Sequence, residues 1–438
     1  MSEIVGLVPL LFVGIDWGSV THRVVVLDSG GKPLRDWTIE HNGEAIGAFI
    51  DKLVALVGGV ASRCHVAIEV KNGPVVESLL ERGLTVFAVN PKQTDRFRDR
   101  LMPSGAKDDR RDALVLAGAV RTDVELLTRL VPTDRRTIML RGTLRLRDEL
   151  VDDKTRLVAR LREQLWRYYP QILELADGDL GAPWLWALCE KAPTPKQGAA
   201  LSRTALTRLL RENRVRRLDA DAVRAVLKKP SLVVANGVAE AAATHVQSLV
   251  SRLRPLHQQL RDVDRRIEQQ LDVWSSSDAG DASESASESS VEDSAAEPTD
   301  EPRKCEQRDE VILRSLPGVG TITLATLLAE VREPLDRRDY PALRALIGVA
   351  PITRQSGSSK VVRMRRACST VLRDIAFNWA RAAVRTDARC HERFVALVAR
   401  GKKRAHAYRA IADHLLRVAC AMLRAGTLYD GNYVAIAA

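Results

Sequence analysis

Residues 11–40 read LFVGIDWGSVTHRVVVLDSGGKPLRDWTIE, and this stretch decides the fold of the first part of the chain. Residues 11–17 and 22–27 are apolar and β-branched, and the second run ends in the turn sequence Asp28-Ser-Gly-Gly31. Residues 34–40 continue the pattern. Short apolar runs separated by turn residues predict three hairpin-like strands.

The chain then alternates helix and strand signals. Helical periodicity covers residues 44–57 and 74–82, strands are predicted at 64–70 and 84–89, and a helix at 106–120 follows. Three strands followed by alternating helices and strands predict an α/β sheet of mixed direction. This order fits an RNase H-like domain, whereas a Rossmann domain would place a helix directly after its first strand.

The charge of the chain indicates the kind of partner. The 438 residues suffice for two or three domains, and 67 Lys and Arg against 56 Asp and Glu give a net charge of +11. Nine of the acids, and no Lys or Arg, lie between Ser275 and Pro302, so the rest of the chain carries +20. Such a charge favours a polyanionic partner, with nucleic acid ahead of an anionic membrane surface.

The sequence gives no sign of a membrane span or of export. The apolar run from Ile4 to Ile15 is shorter than the roughly 20 residues that a membrane helix needs, and no basic residue precedes it. The six cysteines have neither Cys-x-x-Cys spacing nor a histidine at zinc-finger distance. We therefore expect a cytoplasmic protein with reduced thiols and no membrane partner.

Residues 126–274 are predicted to form a helical region with a coiled coil. Leucines at 150, 157, 161 and 165 offer an antiparallel partner helix, with residues 170–245 as a helical cap between the two. A single solvated helix is the alternative, and Pro255 is expected to kink the second helix. The main signal is an unbroken heptad seam of apolar residues: Val246, Leu249, Leu253, Leu256, Leu260, Val263 and Ile267.

Residues 275–304 are predicted to be a disordered acidic linker, because Ser, Ala, Glu and Asp leave almost nothing to bury. Such a segment serves as a tether between domains or, alternatively, as a nucleic-acid mimic that competes for basic surfaces. Residues 305–438 are again compact and mostly helical in pattern. With residues 1–125 as the first domain, the chain is predicted to have four regions.

Four carboxylates of the first domain are candidate metal ligands. Asp16 and Glu69 each end an apolar strand, where a carboxylate is costly unless it meets a cation or a donor. Asp109 and Asp112 lie three residues apart on one helix face. Four such groups at a sheet edge can hold two Mg²⁺ ions for a phosphate displacement. The alternatives are acids favoured by the helix dipole and, for Asp16, a turn residue.

A serine in a basic segment is the second candidate site. In Pro351-Ile-Thr-Arg-Gln-Ser-Gly-Ser-Ser-Lys360, Gly357 gives the backbone the freedom to expose Ser356 as a nucleophile. The alternative is a flexible loop that grips the DNA backbone without chemistry. The basic residues that can hold phosphates here are Arg354, Lys360, Arg363, Arg365 and Arg366.

The segment Leu316-Pro-Gly-Val-Gly-Thr-Ile-Thr323 is similar to the hairpin of a helix-hairpin-helix motif. In that motif, glycines at the positions of Gly318 and Gly320 leave backbone N–H groups free at a helix start, where they receive a phosphate. An ordinary turn before a helix is the alternative.

These motifs together resemble the insertion sequence 110 family of transposases, also called bridge-RNA-guided recombinases. The resemblance rests on the Asp16, Glu69 and Asp109/Asp112 set, on the Pro-Gly-Val-Gly hairpin and on the Pro-x4-Ser-Gly motif that contains Ser356. It covers about residues 11–125 and 308–425. The middle is matched only by its coiled-coil character.

The resemblance implies a fold, an activity and partners. It implies a RuvC-like domain whose Asp16, Glu69, Asp109 and Asp112 hold Mg²⁺, with Mn²⁺ as the alternative ion. It also implies a nucleophilic Ser356 in a C-terminal transposase domain. Such an enzyme recombines donor and target double-stranded DNA through a phosphoserine intermediate, guided by a structured noncoding RNA. It would act as a dimer or tetramer in the bacterial cytosol and nucleoid.

Two features depart from the family pattern. Lys107-Asp108-Asp109 stands where the family usually has Lys-Thr-Asp or Lys-Ser-Asp, so Asp108 competes with Asp109 as the ligand. The three-residue step to Asp112 favours Asp109. The acidic insert before the C-terminal domain also lies outside the pattern.

Two other functions fit the same residues. A RuvC-type nuclease or junction resolvase would cleave DNA with metal-activated water and without a covalent intermediate. A non-catalytic nucleic-acid scaffold would use the positive charge alone.

Overall fold

The protein, analysed as a computed structural model, is described over residues 10–101, 108–277, 309–357 and 359–431. The chain divides into two compact units, Met1–Asp134 and Arg135–Ala438. The first unit thus ends after residue 134 and not after residue 125. The reason is a short last strand, Thr128–Arg129, that still pairs with the sheet.

Six strands form the sheet of the first unit in the order β3-β2-β1-β4-β5-β6. β1 pairs in parallel with β4, and β4 with β5, while β2, β3 and β6 pair antiparallel to their neighbours. This mixed sheet fits the expected RNase H-like fold. The strands are β1 Leu11–Asp16, β2 Thr21–Leu27, β3 Pro33–Glu40, β4 Cys64–Ile68, β5 Thr85–Ala88 and β6 Thr128–Arg129.

Helices cover both faces of this sheet. Since successive side chains of a strand point to opposite faces, Val13 and Ile15 pack with α1 and α2, whereas Phe12 packs with α3 and α4. The sequence did not predict α3. The helices are α1 Gly43–Leu56, α2 Pro74–Glu81, α3 Pro91–Leu101 and α4 Asp109–Thr122.

Gly14 brings α4 unusually close to β1. A Cβ atom at this position would lie 1.9 Å from the carbonyl oxygen of Ala113 and 2.4 Å from the backbone nitrogen of Ala117. Both neighbours are backbone atoms of α4, so neither can move aside as a flexible side chain would. Glycine therefore fixes how closely the helix approaches the central strand.

Two long helices, α5 Arg135–Tyr168 and α11 Val238–Ser277, pack side by side in the second unit. Leu165, at the end of α5, shares a buried cluster with Val246, near the start of α11. Leu144, near the start of α5, is buried with Ile267, near the end of α11. The two helices are therefore antiparallel, as the leucine pattern predicted, and α11 continues through Pro255.

A cap of short helices connects α5 to α11. It occupies residues 170–237, so it is shorter than the predicted range of 170–245, because α11 begins at Val238. Its helices are α6 Pro170–Ala176, α7 Pro183–Lys191, α8 Pro195–Ala200, α9 Arg203–Glu212 and α10 Ala220–Leu227.

The C-terminal region adds seven described helices and a two-stranded hairpin around Trp379, whose side chain is fully buried. Leu140 and Val263 of the long helices are part of this core. The middle region therefore belongs to the same unit as the C-terminal region. The elements are α12 Asp309–Ser315, α13 Thr321–Glu330, α14 Arg332–Asp336, α15 Tyr340–Ile347, β7 Pro351–Ser356, β8 Ser359–Met364, α16 Thr370–Thr386, α17 Ala388–Ala399 and α18 Arg404–Ala425.

The predicted linker of residues 275–304 is described only at its first three residues, which end α11. Residues 278–304, with most of the acidic run, lie outside the described ranges. Over the ranges that are described, no helix combines the length and apolar character needed to cross a membrane.

The packing at Gly14 predicts a large effect of one methyl group. Gly14→Ala should lower the free energy of unfolding by about 1–3 kcal/mol or more, because the new Cβ overlaps backbone atoms of α4. Gly47→Ala is the control, since a Cβ on that residue of α1 meets no atom within 4 Å. It should stabilise the helix by about 0.5–1 kcal/mol. Urea unfolding of the full-length chain measures both, and a native-like Gly14→Ala protein would contradict the packing.

Candidate active site

Asp16 and Glu69 lie at the same edge of the sheet. β1 and β4 are parallel and in register up to the pair Ile15 and Ile68, so the next residues are Asp16, which ends β1, and Glu69, which directly follows β4. On each strand the preceding apolar residue packs with α1 and α2. Alternation therefore directs both carboxylates to the other face, which α4 covers. Asp16 and Glu69 are each half-buried there.

The N-terminus of α4 carries the other two candidate ligands. Asp109 is its first residue and is exposed, while Asp112 is buried. Asp112 immediately precedes Ala113, which lies against Gly14 of β1. The Asp108 side chain accepts a hydrogen bond of 2.8 Å from the backbone N–H of Arg111 and so caps the helix. This capping role accounts for Asp108 without a metal.

Arg98 forms an ion pair with the buried carboxylate of Asp112. Its Nε and Nη2 atoms lie 2.9 and 2.7 Å from Asp112 Oδ1, and Nη1 lies 2.8 Å from Asp95 Oδ1. Burial lowers the pKa of Arg98, but the bonds to Asp112 and Asp95 raise it by more. The Arg98 side chain is only 14% exposed, so this ion pair is largely screened from solvent. Asp112 therefore has a structural partner as well as a candidate role as ligand.

These residues suit a divalent cation in two respects: they are carboxylates, and they lie on one face of the sheet. Carboxylate oxygens are the ligands that Mg²⁺ and Mn²⁺ prefer. In the described part of the chain, however, no three His, Cys, Asp or Glu side chains stand close enough together to hold a metal ion. The structure thus brings Asp16, Glu69 and the start of α4 to one face without closing them into a ligand set.

A pair of histidines holds the loop that follows Asp16. The backbone N–H of Gly18 donates to His22 Nδ1 at 3.3 Å, and His22 Nε2 lies 2.9 Å from His41 Nδ1. With Nδ1 as acceptor, Nε2 carries the proton and donates to His41. Burial, and then the nearby His41, lower the pKa of His22. The hydrogen-bonded pair fixes a loop whose Trp17 is 49% exposed.

Sequence reasoning missed these supporting residues. The spacing of Asp95 and Arg98, three apart, was a signal for a helical ion pair. The partnership of Arg98 with Asp112 had no such signal, because it depends on how α3 packs on α4. His22 and His41 are separated by a hairpin, so their contact required the register of β2 and β3.

Ser356 is the last residue of β7 and pairs with Ser359, the first residue of β8. The sequence predicted a flexible loop here, but the structure has an antiparallel hairpin whose tight turn uses a positive φ of 55° at Gly357. Ser356 is exposed and lines a groove of about 530 Å³ together with Ser359 and Arg363. The serine is therefore presented at the tip of a strand.

The basic residues near Ser356 do not all lie on its side of the hairpin. Arg354 lies two residues before Ser356 in β7, and Arg363 pairs with Ile352 on the same face of the hairpin. Lys360 pairs with Gln355 and belongs to the other face. Arg365 and Arg366 follow β8; the Nε atom of Arg365 is buried and has no hydrogen-bond partner in the described structure.

Gly318 and Gly320 have different roles in the turn between α12 and α13. Gly318 has a φ of 75°, and a Cβ there would lie 2.4 Å from the backbone nitrogen of Ala383 in α16. Trp379 Nε1 donates to the carbonyl of Pro317 at 2.9 Å. The first glycine thus serves packing, whereas Gly320 is exposed at the N-cap of α13. The predicted phosphate contact remains a prediction for both glycines.

Two family models match the chain. Residues 13–170 match a family described as Transposase, and residues 310–396 match the Transposase IS116/IS110/IS902 family. The first range contains all four candidate carboxylates and the second contains Ser356.

Three curated relatives share the similarity. The y4uE protein of Sinorhizobium fredii, named as a transposase, is 45% identical over 48% of this chain, and the match spans only 58% of that protein. The mini-circle protein of Streptomyces coelicolor named as a transposase for IS117 is 29% identical over 85% of this chain and 84% of its own length. The 43.6 kDa protein of insertion element IS110, from the same species, is 26% identical over 96% of each chain.

The ion pair of Asp112 predicts that the two carboxylates of α4 contribute differently to stability. Asp112→Asn should lower the free energy of unfolding by about 1.5–3 kcal/mol, because it leaves Arg98 without its charged partner. Asp109→Asn should cost less than about 1 kcal/mol, since the exposed Asp109 contributes mainly through the helix dipole. Removing Arg98 as well, in Arg98→Met/Asp112→Asn, should recover part of the loss. Equal unfolding midpoints for the two single variants would contradict the ion pair.

Proposed function

The chain belongs to the IS110 family of transposases, enzymes that cut and join DNA, and from this we propose that it recombines DNA through a covalent link to Ser356. The observation that carries the proposal is the presentation of Ser356, which stands exposed at the tip of a basic hairpin. A hydroxyl in this position reaches a phosphate without opening the protein core. The substrates are donor and target double-stranded DNA.

The proposed reaction has two balanced steps. In the first, the Ser356 hydroxyl gives up its proton, Oγ bonds to the scissile phosphorus, and a deoxyribose oxygen leaves and takes up a proton. In the second, the hydroxyl of another DNA strand attacks the phosphoserine, which releases Ser356 and joins the strands. Arg363, on the same face, and Arg365, which directly follows β8, supply positive charge for the phosphate oxygens.

We further propose that Asp16, Glu69, Asp109 and Asp112 hold a divalent cation, Mg²⁺ or Mn²⁺. When bound, such a cation polarises a phosphate and neutralises its negative charge. The shared face of Asp16 and Glu69 supports this assignment, as does the start of α4 beside them. The capping hydrogen bond of Asp108 supports Asp109, not Asp108, as the ligand.

The remaining partners follow from the family alone. We propose that a structured noncoding guide RNA selects the donor and target DNA by base pairing, and that the enzyme works as a dimer or tetramer. The excess of positive charge outside residues 275–302 supports a large nucleic-acid partner.

Ser356→Ala should abolish both strand exchange and the DNA adduct that survives denaturation. The substitution removes one exposed hydroxyl, so stability and DNA affinity should stay close to those of the native chain. Ser359→Ala is the matched control, because it removes a hydroxyl from the residue opposite Ser356 in the hairpin. It should retain activity. The measurement is a denaturing gel of labelled DNA after reaction with Mg²⁺.

A Ser356→Ala protein that cleaves DNA at a normal rate would overturn the covalent mechanism. A metal-dependent nuclease of the RuvC type would then replace it.

Neutral substitutions of the proposed ligands should stop cleavage and spare DNA binding. Asp16→Asn, Glu69→Gln and Asp109→Asn each remove one negative charge, so cleavage with Mg²⁺ should fall at least about 100-fold. Asp108→Asn should be mild, since asparagine caps helices about as well as aspartate. Strand cleavage and duplex binding are measured in parallel. If Asp109→Asn is active and Asp108→Asn is inactive, the ligand must be reassigned to Asp108.

A further inference from the structure

The cap carries an arginine-lined groove that neither family model covers. The first match ends at residue 170 and the second begins at residue 310. The groove lies between them, in the turn between α9 and α10. It encloses about 590 Å³ and is lined in part by Arg211, Arg214 and Arg216.

These arginines lack the acidic partners that their neighbours have. Between residues 203 and 229 the chain has nine Lys and Arg but three Asp and Glu. Arg203 pairs with Asp221 at 3.0 Å and Arg208 with Glu212 at 3.6 Å, while Lys229 pairs with Glu174 at 2.6 Å. Within the described ranges, Arg211, Arg214 and Arg216 have no carboxylate within 4.0 Å, although all three are exposed.

The turn holds the arginines together by local structure. Arg214 has a φ of 54°, in the left-handed region that non-glycine residues seldom adopt, and its N–H donates to the carbonyl of Arg211 at 3.0 Å. Leu210, which also lines the groove, is buried in the core of the cap. Asp219 is the acid of the groove lining, and its carboxylate accepts from the backbone N–H of Asp221 as the N-cap of α10. Three unpaired positive charges are thus held close together on a packed base.

We propose that this groove, which shares no residue with the Ser356 hairpin or the four carboxylates, binds the phosphate backbone of double-stranded DNA. Guanidinium groups match phosphate oxygens in geometry and charge. None of the residues that line the groove is aromatic, so it has no platform for stacking unpaired bases. Backbone contacts with a duplex fit these features. The inference rests on the proposed DNA substrate and adds a second surface that holds it.

The test compares two triple variants of the full-length chain that lose the same number of charges. Arg211→Gln/Arg214→Gln/Arg216→Gln removes the three positive charges that line the groove. Arg203→Gln/Arg208→Gln/Lys229→Gln removes three paired charges from the same segment. Fluorescence anisotropy gives the affinity for a random-sequence DNA duplex at a series of salt concentrations. The slope of log K against log salt should fall by about 2–3 for the groove variant and by less than about 1 for the control.

Three outcomes would overturn the proposal in different ways. Equal slopes for the two variants would show that only the total charge matters, and the groove would then have no specific role in binding DNA. A slope that changes with an RNA duplex but not with DNA would assign the groove to RNA. If the native chain does not bind duplex DNA at all, the proposed substrate fails together with the groove. Cleavage by the groove variant at saturating DNA should remain, which separates this surface from Ser356 and the carboxylates.

Discussion

The contact of α4 with β1 at Gly14 is the constraint on which the candidate metal site depends. Asp16 is two residues beyond Gly14 on the strand. Asp112 immediately precedes Ala113, whose backbone packs directly against Gly14. Parallel pairing with β4 then adds Glu69 at the same edge. A side chain at position 14 would push the helix away and take Asp109 and Asp112 with it. Backbone packing, not the acids themselves, therefore sets the spacing of these groups.

The second unit supports its serine in a different way. Ser356 stands on a hairpin whose second strand is exposed along its whole length, and isolated two-stranded hairpins are only marginally stable. The segment after the hairpin is tied to the rest of the domain by the backbone N–H of Ser369, which donates to the carbonyl of Leu346 at 3.0 Å. A buried core thus carries an exposed hairpin, which leaves the Ser356 side chain accessible from solvent.

Much of the first domain was predictable because its strands are apolar and bounded by turns, and two of the candidate ligands, Asp16 and Glu69, were proposed from where those strands end. The sequence did not predict α3, since Phe97 is the only one of its described side chains in a buried apolar cluster and a single apolar residue gives no periodicity. The two residues of β6 are both exposed, so they give no hydrophobic pattern from which a strand could be predicted. The Ser356 segment was read as a loop, because the strand with which it pairs is exposed along its whole length and shows no alternation of polar and apolar residues. Arg98 could not be assigned to Asp112 without the packing of α3 on α4.

The antiparallel arrangement of α5 and α11 has a consequence for how this protein can change over time. Because the end of α5 lies beside the start of α11, the cap leaves and rejoins the helix pair at nearly one point. An insertion placed there lengthens the chain without stretching or rotating the core that holds Ser356. Natural variation can therefore enlarge, replace or trim the cap while the rest of the second unit keeps its geometry. Changes in the cap and changes in the Ser356 hairpin can in this sense be inherited separately within one polypeptide.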